Sequence, residues 1–357
     1  MTTEACLTAG LGWHGEAGMR VKGHASRLFA MVFALTCLIA APAGAAEPAA
    51  DDVAAQQAVA VLQKIQAAAR TLDYAGVYTY QQGQAMMSSR IVHMVDGTGE
   101  RERIELLDGE PREYVRHNDE SHCLIPSKKV VLVEDRRGDR FPGLLLGDSS
   151  NLSRFYQIHT SGSHYRVAGR ECQFIELVPR DNARYGYRLC ADTETHLLLK
   201  VQVMGSHGMI DQTAFNTLSL GEHVSPEGLE TGLKTDGWKV VQSAMTPVDL
   251  SKKGWRIPYP PGYQPVMQAV RTMKHGRQVS QLVLADGLAA VSIFIEPLGP
   301  EKGLRNANEV ASTGAMNIFS TRVGDHWLTA LGEVPAQTLR ELAERTEYVP
   351  PAPTLNN

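Results

Sequence analysis

The sequence predicts an α+β fold in which antiparallel sheets predominate and helices are few. Apolar residues recur at helical spacing over residues 53–71, and many short segments with the residue pattern of β-strands follow. Turn signals separate these runs, among them Asp96-Gly97 and Asp108-Gly109, and an Asp-Gly pair between such runs is a strong hairpin signal. A second, shorter series of runs ends in another helical pattern near the C-terminus. Together these observations favour antiparallel sheets with a helix at each end of the fold.

The first helix is predicted from apolar residues at helical spacing. These residues are Ala54, Ala58, Val61, Leu62, Ile65, Ala68, Ala69 and Leu72. Asp51 and Asp52 precede them and are expected to cap the helix. A stretch rich in tyrosine and β-branched residues at 74–80 then predicts the first strand.

The centre of the chain, residues 165–203, reads YRVAGRECQFIELVPRDNARYGYRLCADTETHLLLKVQV. Three apolar runs lie within it, and the second and third alternate with a period of two, which is typical of strands with one buried face. Arg180-Asp181-Asn182 supplies turn residues between the first two runs. Short connections between sequential strands favour an antiparallel meander.

Further strands are predicted on both sides of this centre. They cover residues 89–95, 100–107, 113–118, 122–126, 130–134 and 215–220. The charges of Glu100, Arg101, Glu102 and Arg103 are interpreted as the solvent face of one of these strands. Residues 141–156 break the pattern and predict a loop with a short helix, placed over one face of the sheet.

The chain of 357 residues is long enough for two domains, each with its own core. Its net charge of −4 gives no basic excess, which argues against nucleic acid as a partner. We expect an N-terminal domain at 46–220, a linker at 221–246, a C-terminal domain at 247–347 and a disordered tail at 348–357.

The C-terminal domain is predicted as a small antiparallel sheet with a terminal helix. A proline-stiffened segment, WRIPYPPGYQP at 255–265, leads into it. Strands are expected at 266–273, 279–285, 289–296, 316–322 and 326–331. Residues 306–314 are expected to form a loop or short helix, and Pro335 suits the first position of the last helix.

Residues 1–45 have the features of a secretory signal peptide, with Met19 as an alternative start. Arg20, Lys22 and Arg27 form a basic region, residues 28–41 are apolar, and Ala43-Gly44-Ala45 fits a cleavage site. The apolar run is short for a membrane span. We therefore expect export, with a retained anchor as the alternative.

Export would place the mature chain where disulfides form. Cys172 and Cys190 are symmetric about Asp181, so an antiparallel register centred there sets them opposite each other. The pair is either a cross-strand disulfide or two buried reduced cysteines, and the state of Cys123 stays open. No CxxC or paired Cys/His spacing indicates a metal site.

The motifs of common enzyme classes are missing from the sequence. It contains no GxSxG, P-loop or HExxH motif, and after the predicted signal peptide it contains no dinucleotide-binding GxGxxG motif. His117 and His122 lie near Cys123, but histidines on strand faces beside a buried cysteine are the simpler interpretation. No catalytic residues, metal ligands or cofactors are predicted, and a binding protein is favoured over an enzyme.

Several segments, taken in order, resemble the MucB/RseB family of sigma-E factor regulatory proteins. In the first domain these are LDYAGVYTY at 72–80, VAGR at 167–170, PRD at 179–181, RYGY at 184–187 and LLK at 198–200. In the second they are WR at 255–256, PPGY at 260–263, DGL at 286–288, SIFIEPL at 292–298 and GEVP at 332–335. His196 departs from the family, where relatives often carry Gly in this turn.

The resemblance implies a fold that periodicity does not give. It implies an unclosed antiparallel β-barrel, like that of the lipoprotein carriers, with helices plugging its concave face, and a smaller C-terminal domain. It also implies a periplasmic negative regulator that binds the periplasmic domain of a membrane-anchored anti-sigma factor. Binding would shield that factor from regulated proteolysis until a lipid or lipopolysaccharide signal loosens the complex.

Candidate contact residues follow from this function. For the protein partner they are Trp255, Tyr259, Tyr263, Ser292, Phe294 and Glu296. For an acyl chain they are Leu144, Leu145, Leu146, Phe155 and Tyr156. The alternative for the aromatic residues is a place in the core, which is the simpler expectation for Phe294. A homodimer is left open.

Two other function classes compete with a regulator. A periplasmic lipid or lipoprotein carrier would transfer acyl chains and would leave the second domain unexplained. An envelope hydrolase would need a catalytic His or Asp whose substitution abolishes turnover.

Overall fold

The computed structural model describes residues 49–135, 141–143, 151–242, 245–272, 277–299 and 307–350. The predicted signal peptide and the residues Leu144, Leu145 and Leu146 lie outside the described residues. Among the described helices, none has the length and apolarity that a bilayer crossing requires.

One large sheet of 12 strands forms the N-terminal domain. Its strands are β1 Tyr74–Gln82, β2 Ala85–Asp96, β3 Gly99–Leu106, β4 Glu113–His117, β5 Glu120–Ile125, β6 Val130–Asp135, β7 Tyr156–Val167, β8 Arg170–Pro179, β9 Gly186–Asp192, β10 Leu198–Gly205, β11 Gly208–Leu220 and β12 Lys239–Gln242. They are ordered β12-β6-β5-β4-β3-β2-β1-β11-β10-β9-β8-β7. Only the β12–β6 pair is parallel, and β12 and β7 end the described sheet without pairing to each other, which confirms the unclosed antiparallel sheet.

Helix α1, Ala49–Thr71, packs its apolar stripe against the sheet. Leu62 and Ile65 are buried with Ile175, Leu177 and Leu189 of the central hairpin. Asp51 and Asp52 lie within this helix, which begins earlier than the sequence predicts. A short second helix, α2 Leu152–Phe155, precedes β7 as predicted.

Cys172 and Cys190 form a disulfide between β8 and β9, with their Cα atoms 5.4 Å apart. The strand register is centred one residue later than predicted, because Cys172 pairs with Asp192, and Phe174 pairs with Cys190. The two cysteines are therefore diagonal neighbours, and the twist of the sheet brings such a diagonal pair within bonding reach.

The segment predicted as a linker is fastened to the first sheet along much of its length. Val224 and Leu229 pack on Val92, and the guanidinium of Arg103 donates to the carbonyl of Gly228 at 3.3 Å. Strand β12 then joins β6, and strand β13, Met245–Pro247, joins the second sheet. Local propensity does not reveal these contacts because they depend on long-range packing.

The second sheet has seven strands in the order β13-β15-β16-β17-β20-β19-β18. Its remaining strands are β15 Gln264–Thr272, β16 Gln278–Ala285, β17 Ala290–Pro297, β18 Glu309–Thr313, β19 Met316–Val323 and β20 His326–Gly332. Helix α3, Ala336–Glu344, buries Leu339 and Leu342 on one face of the sheet, against Val291, Ile293 and Ile295. The predicted small antiparallel sheet with a terminal helix is confirmed.

Three local predictions are corrected by the structure. Residues 309–313 form the edge strand β18 rather than a loop or helix, paired with β19. The start of the predicted tail is ordered, since Tyr348 belongs to β21, Glu347–Tyr348, which pairs with β14, Trp255–Arg256. Glu102 is only 8% exposed, because the carboxylate faces Arg116 of β4 instead of solvent.

Candidate functional site

The predicted partner-binding residues fall into two groups. Trp255 and Tyr263 are 5% and 1% exposed. Trp255 packs against Tyr348, with ring centroids 4.6 Å apart, and belongs to the core of the second domain. Trp255 and Tyr263 are therefore buried beneath the surface of the second domain and are not accessible to a partner. Tyr259, in contrast, is 42% exposed.

Ser292, Phe294 and Glu296 lie on the face of the second sheet opposite α3. All three are partly buried, and they alternate with the buried Val291, Ile293 and Ile295. Phe294 is flanked by Gln281 on β16 and Thr329 on β20. The carboxylate of Glu296 lies 3.2 Å from Arg277. This face therefore presents an aromatic side chain beside an ion pair.

Of the predicted acyl-chain contacts, Phe155 and Tyr156 lie within the described residues. Tyr156 is fully buried, and Phe155 is half-buried at the end of α2. Both contact the junction of the two domains. A Cβ atom added to Gly262 of the second domain would lie 2.6 Å from the Phe155 ring.

Arg184 is the residue on which these groups converge. Its side chain is 0% exposed and follows the turn that joins β8 to β9. Its Nε and Nη2 atoms donate to both carboxylate oxygens of Asp181, at 3.0 and 3.1 Å. Its Nη1 atom donates to Asp286 at 2.8 Å, and Nη2 also donates to the carbonyl of Pro261. One guanidinium thus joins the first domain to two segments of the second.

Asp286 is satisfied on both carboxylate oxygens. Oδ1 accepts the backbone N–H groups of Leu288 and Ala289 at 3.0 and 2.8 Å, which closes the β16–β17 turn. Oδ2 accepts Arg184 and the hydroxyl of Tyr156, the latter at 3.1 Å. A buried charge pair is tolerated when further hydrogen bonds satisfy its remaining atoms, and this pair meets that requirement.

Aromatic rings enclose the Arg184 guanidinium. Its Cζ atom lies 4.7 Å from the centre of the Phe155 ring, 5.2 Å from that of Tyr263 and 5.6 Å from that of Tyr156. Burial, and then the charge of Asp286, raise the pKa of the Tyr156 and Tyr263 hydroxyls. Tyr156 therefore stays protonated at neutral pH and acts as a donor to Asp286. We call Arg184, Asp286, Phe155, Tyr156 and Tyr263 the Arg184 cluster.

A second contact between the domains is centred on Asp211. This carboxylate is 3% exposed, and its Oδ2 atom accepts the Tyr80 hydroxyl at 2.9 Å and the backbone N–H of Ala315 at 2.7 Å. Gly314 lies directly over Asp211 with a φ of +56°, and a Cβ atom there would collide with the carboxylate. Burial, followed by the charge of Asp211, raises the pKa of Tyr80.

Two more hydrogen bonds cross the junction. Asn317 donates to the hydroxyl of Tyr185 at 3.1 Å, and Thr338 at the start of α3 donates to the carbonyl of Ala183 at 3.1 Å. The junction is therefore polar and hydrogen-bonded across several elements, with Leu288 and Ala315 added to the apolar cluster of the first domain.

This arrangement suits binding and domain positioning. Across the described segments, no group of three or more His, Cys, Asp or Glu side chains is placed to hold a metal ion. The sequence predictions missed Arg184, Asp286 and Asp211 as site residues. Arg184 and Asp286 appeared in the sequence analysis only within the family segments RYGY and DGL, and their pairing depends on a separation of 102 positions that no local pattern encodes.

Comparison with known proteins places these observations in context. Sequence models of the MucB/RseB N-terminal domain and the MucB/RseB C-terminal domain match residues 57–233 and 249–347. The sigma factor AlgU regulatory protein MucB of Pseudomonas aeruginosa is 28% identical over 333 residues, covering 89% of this chain and 96% of that protein. The sigma-E factor regulatory protein RseB of Escherichia coli is 25% identical over 296 residues, covering 81% and 90%.

Solved structures of MucB, alone and in complex with MucA, are also similar to this chain. A crystal structure of MucB in complex with MucA(peri) has a TM-score of 0.64 and 28% identity, covering 83% of this chain and 99% of that chain. A structure of the Pseudomonas aeruginosa MucA/MucB complex has a TM-score of 0.65 and 27% identity, with the same coverage. A crystal structure of MucB has a TM-score of 0.58 and 26% identity, covering 82% and 98%.

Proposed function

The chain belongs to the MucB/RseB family, and we propose that it is a periplasmic negative regulator of an envelope-stress sigma factor. It binds the periplasmic domain of a membrane-anchored anti-sigma factor. The observation that carries this proposal is similarity over both domains to MucB in complex with MucA(peri). The proposed function is binding and release of a protein partner, and it requires no catalytic step.

The partner surface that we propose is the face of the second sheet that carries Ser292, Phe294 and Glu296, together with Tyr259. Phe294 offers a partly accessible ring, and interface energetics are often concentrated in a few aromatic side chains. Glu296 and Arg277 add a charged rim that can set the orientation of a partner. Trp255 and Tyr263 act indirectly, since their burial fixes the segment from which Tyr259 projects.

Protection of the anti-sigma factor follows from simple linkage. A protease cuts the unbound segment, so the cleavage rate falls with the fraction that this protein holds. A lipid that favours a domain arrangement with poor partner affinity weakens the complex by the same coupling energy. Leu144, Leu145, Leu146, Phe155 and Tyr156 remain the proposed contacts for that lipid.

The test is a protection assay with the cognate periplasmic fragment and the site-1 protease that cleaves it. The full mature chain is expected to slow cleavage in proportion to the occupied fraction of the fragment. Phe294→Ser should weaken both binding and protection. Val349→Ser, a matched loss of an exposed apolar side chain in the same domain, should not. Equal cleavage with and without the protein contradicts the proposal.

A lipid or lipoprotein carrier is the second candidate, favoured by the unclosed sheet with a helix across it. A carrier would move a labelled acyl chain from donor to acceptor vesicles at a rate that rises with protein concentration. A regulator binds the fragment and gives no such transfer. Removal of the second domain is a poor test, because it would expose the Arg184 and Tyr156 side chains that the junction buries.

A further inference from the structure

The predicted lipid contacts and the predicted partner segment meet at one buried residue. Phe155 and Tyr156 approach Arg184 from the first domain, and Pro261 and Tyr263 approach it from the second. Nothing in the local sequence pattern requires these groups to share a partner. Their convergence gives the two proposed sites a direct physical connection.

We propose that Arg184 couples the two sites, so that occupancy of the first domain by a lipid is transmitted to the partner surface of the second. This inference rests on the proposed function and adds the residues that carry its regulation. Arg184 is a positioning residue, because it holds the segment at 260–263 in place and does not itself contact either ligand.

The two sides of the contact explain how a signal would cross it. The Phe155 ring packs against Gly262, whose φ of +85° and missing side chain allow the close approach. An acyl chain that displaces Phe155 or Tyr156 removes a ring from the guanidinium and a hydroxyl from Asp286. The hydrogen bond from Arg184 to the Pro261 carbonyl then loses its fixed geometry.

Loosening of this contact would weaken partner binding. Tyr259 is exposed two residues before Pro261, so it is positioned by the same segment. A preorganised segment binds without the cost of ordering it, and that advantage disappears when the segment is released. The intact cluster therefore corresponds to the arrangement that holds the anti-sigma factor.

Gly262→Ala is the variant that tests the coupling without substituting any of the proposed lipid contacts. Its Cβ atom would press on Phe155 from the second domain. Gly314→Ala is the matched control, because it also adds a Cβ atom at a positive φ on the domain junction, but against Asp211 rather than Phe155. Arg184→Lys is a second test variant, which keeps the charge and loses the planar, multiple-donor geometry.

The measurement is the Kd for the cognate periplasmic fragment with and without a saturating myristoyl lysophosphatidylglycerol. The natural protein is expected to show at least about a fivefold ratio between the two values. Gly262→Ala and Arg184→Lys are expected to weaken the lipid-free Kd for the fragment and to reduce the ratio below about twofold. Both variants should still bind the lipid, at least as tightly as the natural protein, because the lipid no longer has to break an intact cluster. Gly314→Ala should keep most of the ratio.

Three results would count against the proposal. A full ratio in Gly262→Ala and Arg184→Lys, with both variants folded by melting temperature, would remove Arg184 from the coupling. Equal loss in Gly262→Ala and Gly314→Ala would show that the whole junction carries it. A natural protein that binds the fragment but shows no lipid effect would overturn this inference and the lipid signal together, and would leave partner binding in place.

Discussion

The carboxylate of Asp211 accepts the backbone N–H of Ala315 at 2.7 Å, and this contact helps to fix the β18–β19 turn of the second domain on the first domain's sheet. Tyr80 donates to the same oxygen, so the acceptor is held from both domains. The contact lies apart from the Arg184 cluster in sequence and involves different strands. Asp211 is therefore a second buried carboxylate, in addition to Asp286, that holds the two domains together.

Asp211→Asn should loosen this contact. The two hydrogen bonds from Tyr80 and Ala315 then end on a neutral amide oxygen instead of a charged carboxylate oxygen, at a cost of about 1–3 kcal/mol. Urea denaturation should show the loss, and amide hydrogen exchange at Ala315 should accelerate. Asp236→Asn, on an exposed side chain, is the control, and equal effects of the two variants would contradict the assignment.

Removal of one member of the Arg184–Asp286 pair should cost more than removal of both. Asp286→Leu leaves a buried guanidinium with a missing partner and is expected to destabilise the protein by about 3–5 kcal/mol. The double variant Arg184→Met with Asp286→Leu should recover part of that loss. A double-mutant cycle measured by chemical denaturation gives the coupling energy, and additive losses would argue against a direct pair.

Loss of the Cys172–Cys190 disulfide should destabilise the first domain. The bond closes a loop with a sequence separation of 18, for which chain entropy predicts about 3 kcal/mol. The variant Cys172→Ala with Cys190→Ala should unfold at lower denaturant concentration than the natural protein under oxidising conditions. The two proteins should converge when a reductant is added, and a difference that persists would point to packing instead.

His326 should make the second domain less stable in mild acid. Burial lowers its pKa below the ordinary value of 6.5, although Asp325 opposes the shift. The unfolded chain then binds more protons than the folded one, so stability is complete above pH 6.5 and falls as the pH drops toward the folded pKa. The His326 ring packs 5.0 Å from Trp255, which gives the charged form an apolar neighbour.

Melting temperatures measured from pH 7.5 to pH 5 test this dependence, a range set around the ordinary histidine value of about 6.5. His326→Phe should flatten the slope, because the ring is kept and the titrating group is lost. His207→Phe, at an exposed turn position, should leave the slope as it is. An unchanged slope in His326→Phe would assign the pH dependence to another group.

Some features of this protein follow from short-range pattern. The turn at His196 is an example, since its φ of +62° lies in the left-handed region that short turns require. Asp192 supports that turn by accepting the backbone N–H groups of Glu194 and Thr195 at 3.1 and 2.8 Å. The predicted alternation of β10 likewise appears in its burial pattern, whereas β9 is buried along nearly its whole length.

Other features could not be predicted from the sequence, because they depend on contacts with residues outside their own segment. The polar strand β18 has no apolar face, so its pairing depends on the neighbouring β19. The sequence of the linker shows no periodic spacing of apolar residues, because it contacts the first sheet through isolated side chains. Val224 and Leu229, which pack on Val92, are examples. The unclosed shape of the large sheet came from family resemblance and not from periodicity.

Binary pattern and turn residues are thus enough to give the order and type of most elements, because each depends on neighbours a few positions away. They also supply Asp181, Arg184 and Asp286 as polar residues near turns. That one guanidinium joins these residues and two aromatic segments across the junction depends on how the two sheets dock. Docking is decided by burial and hydrogen bonding between groups that lie about a hundred positions apart, and only the folded arrangement brings those groups into contact.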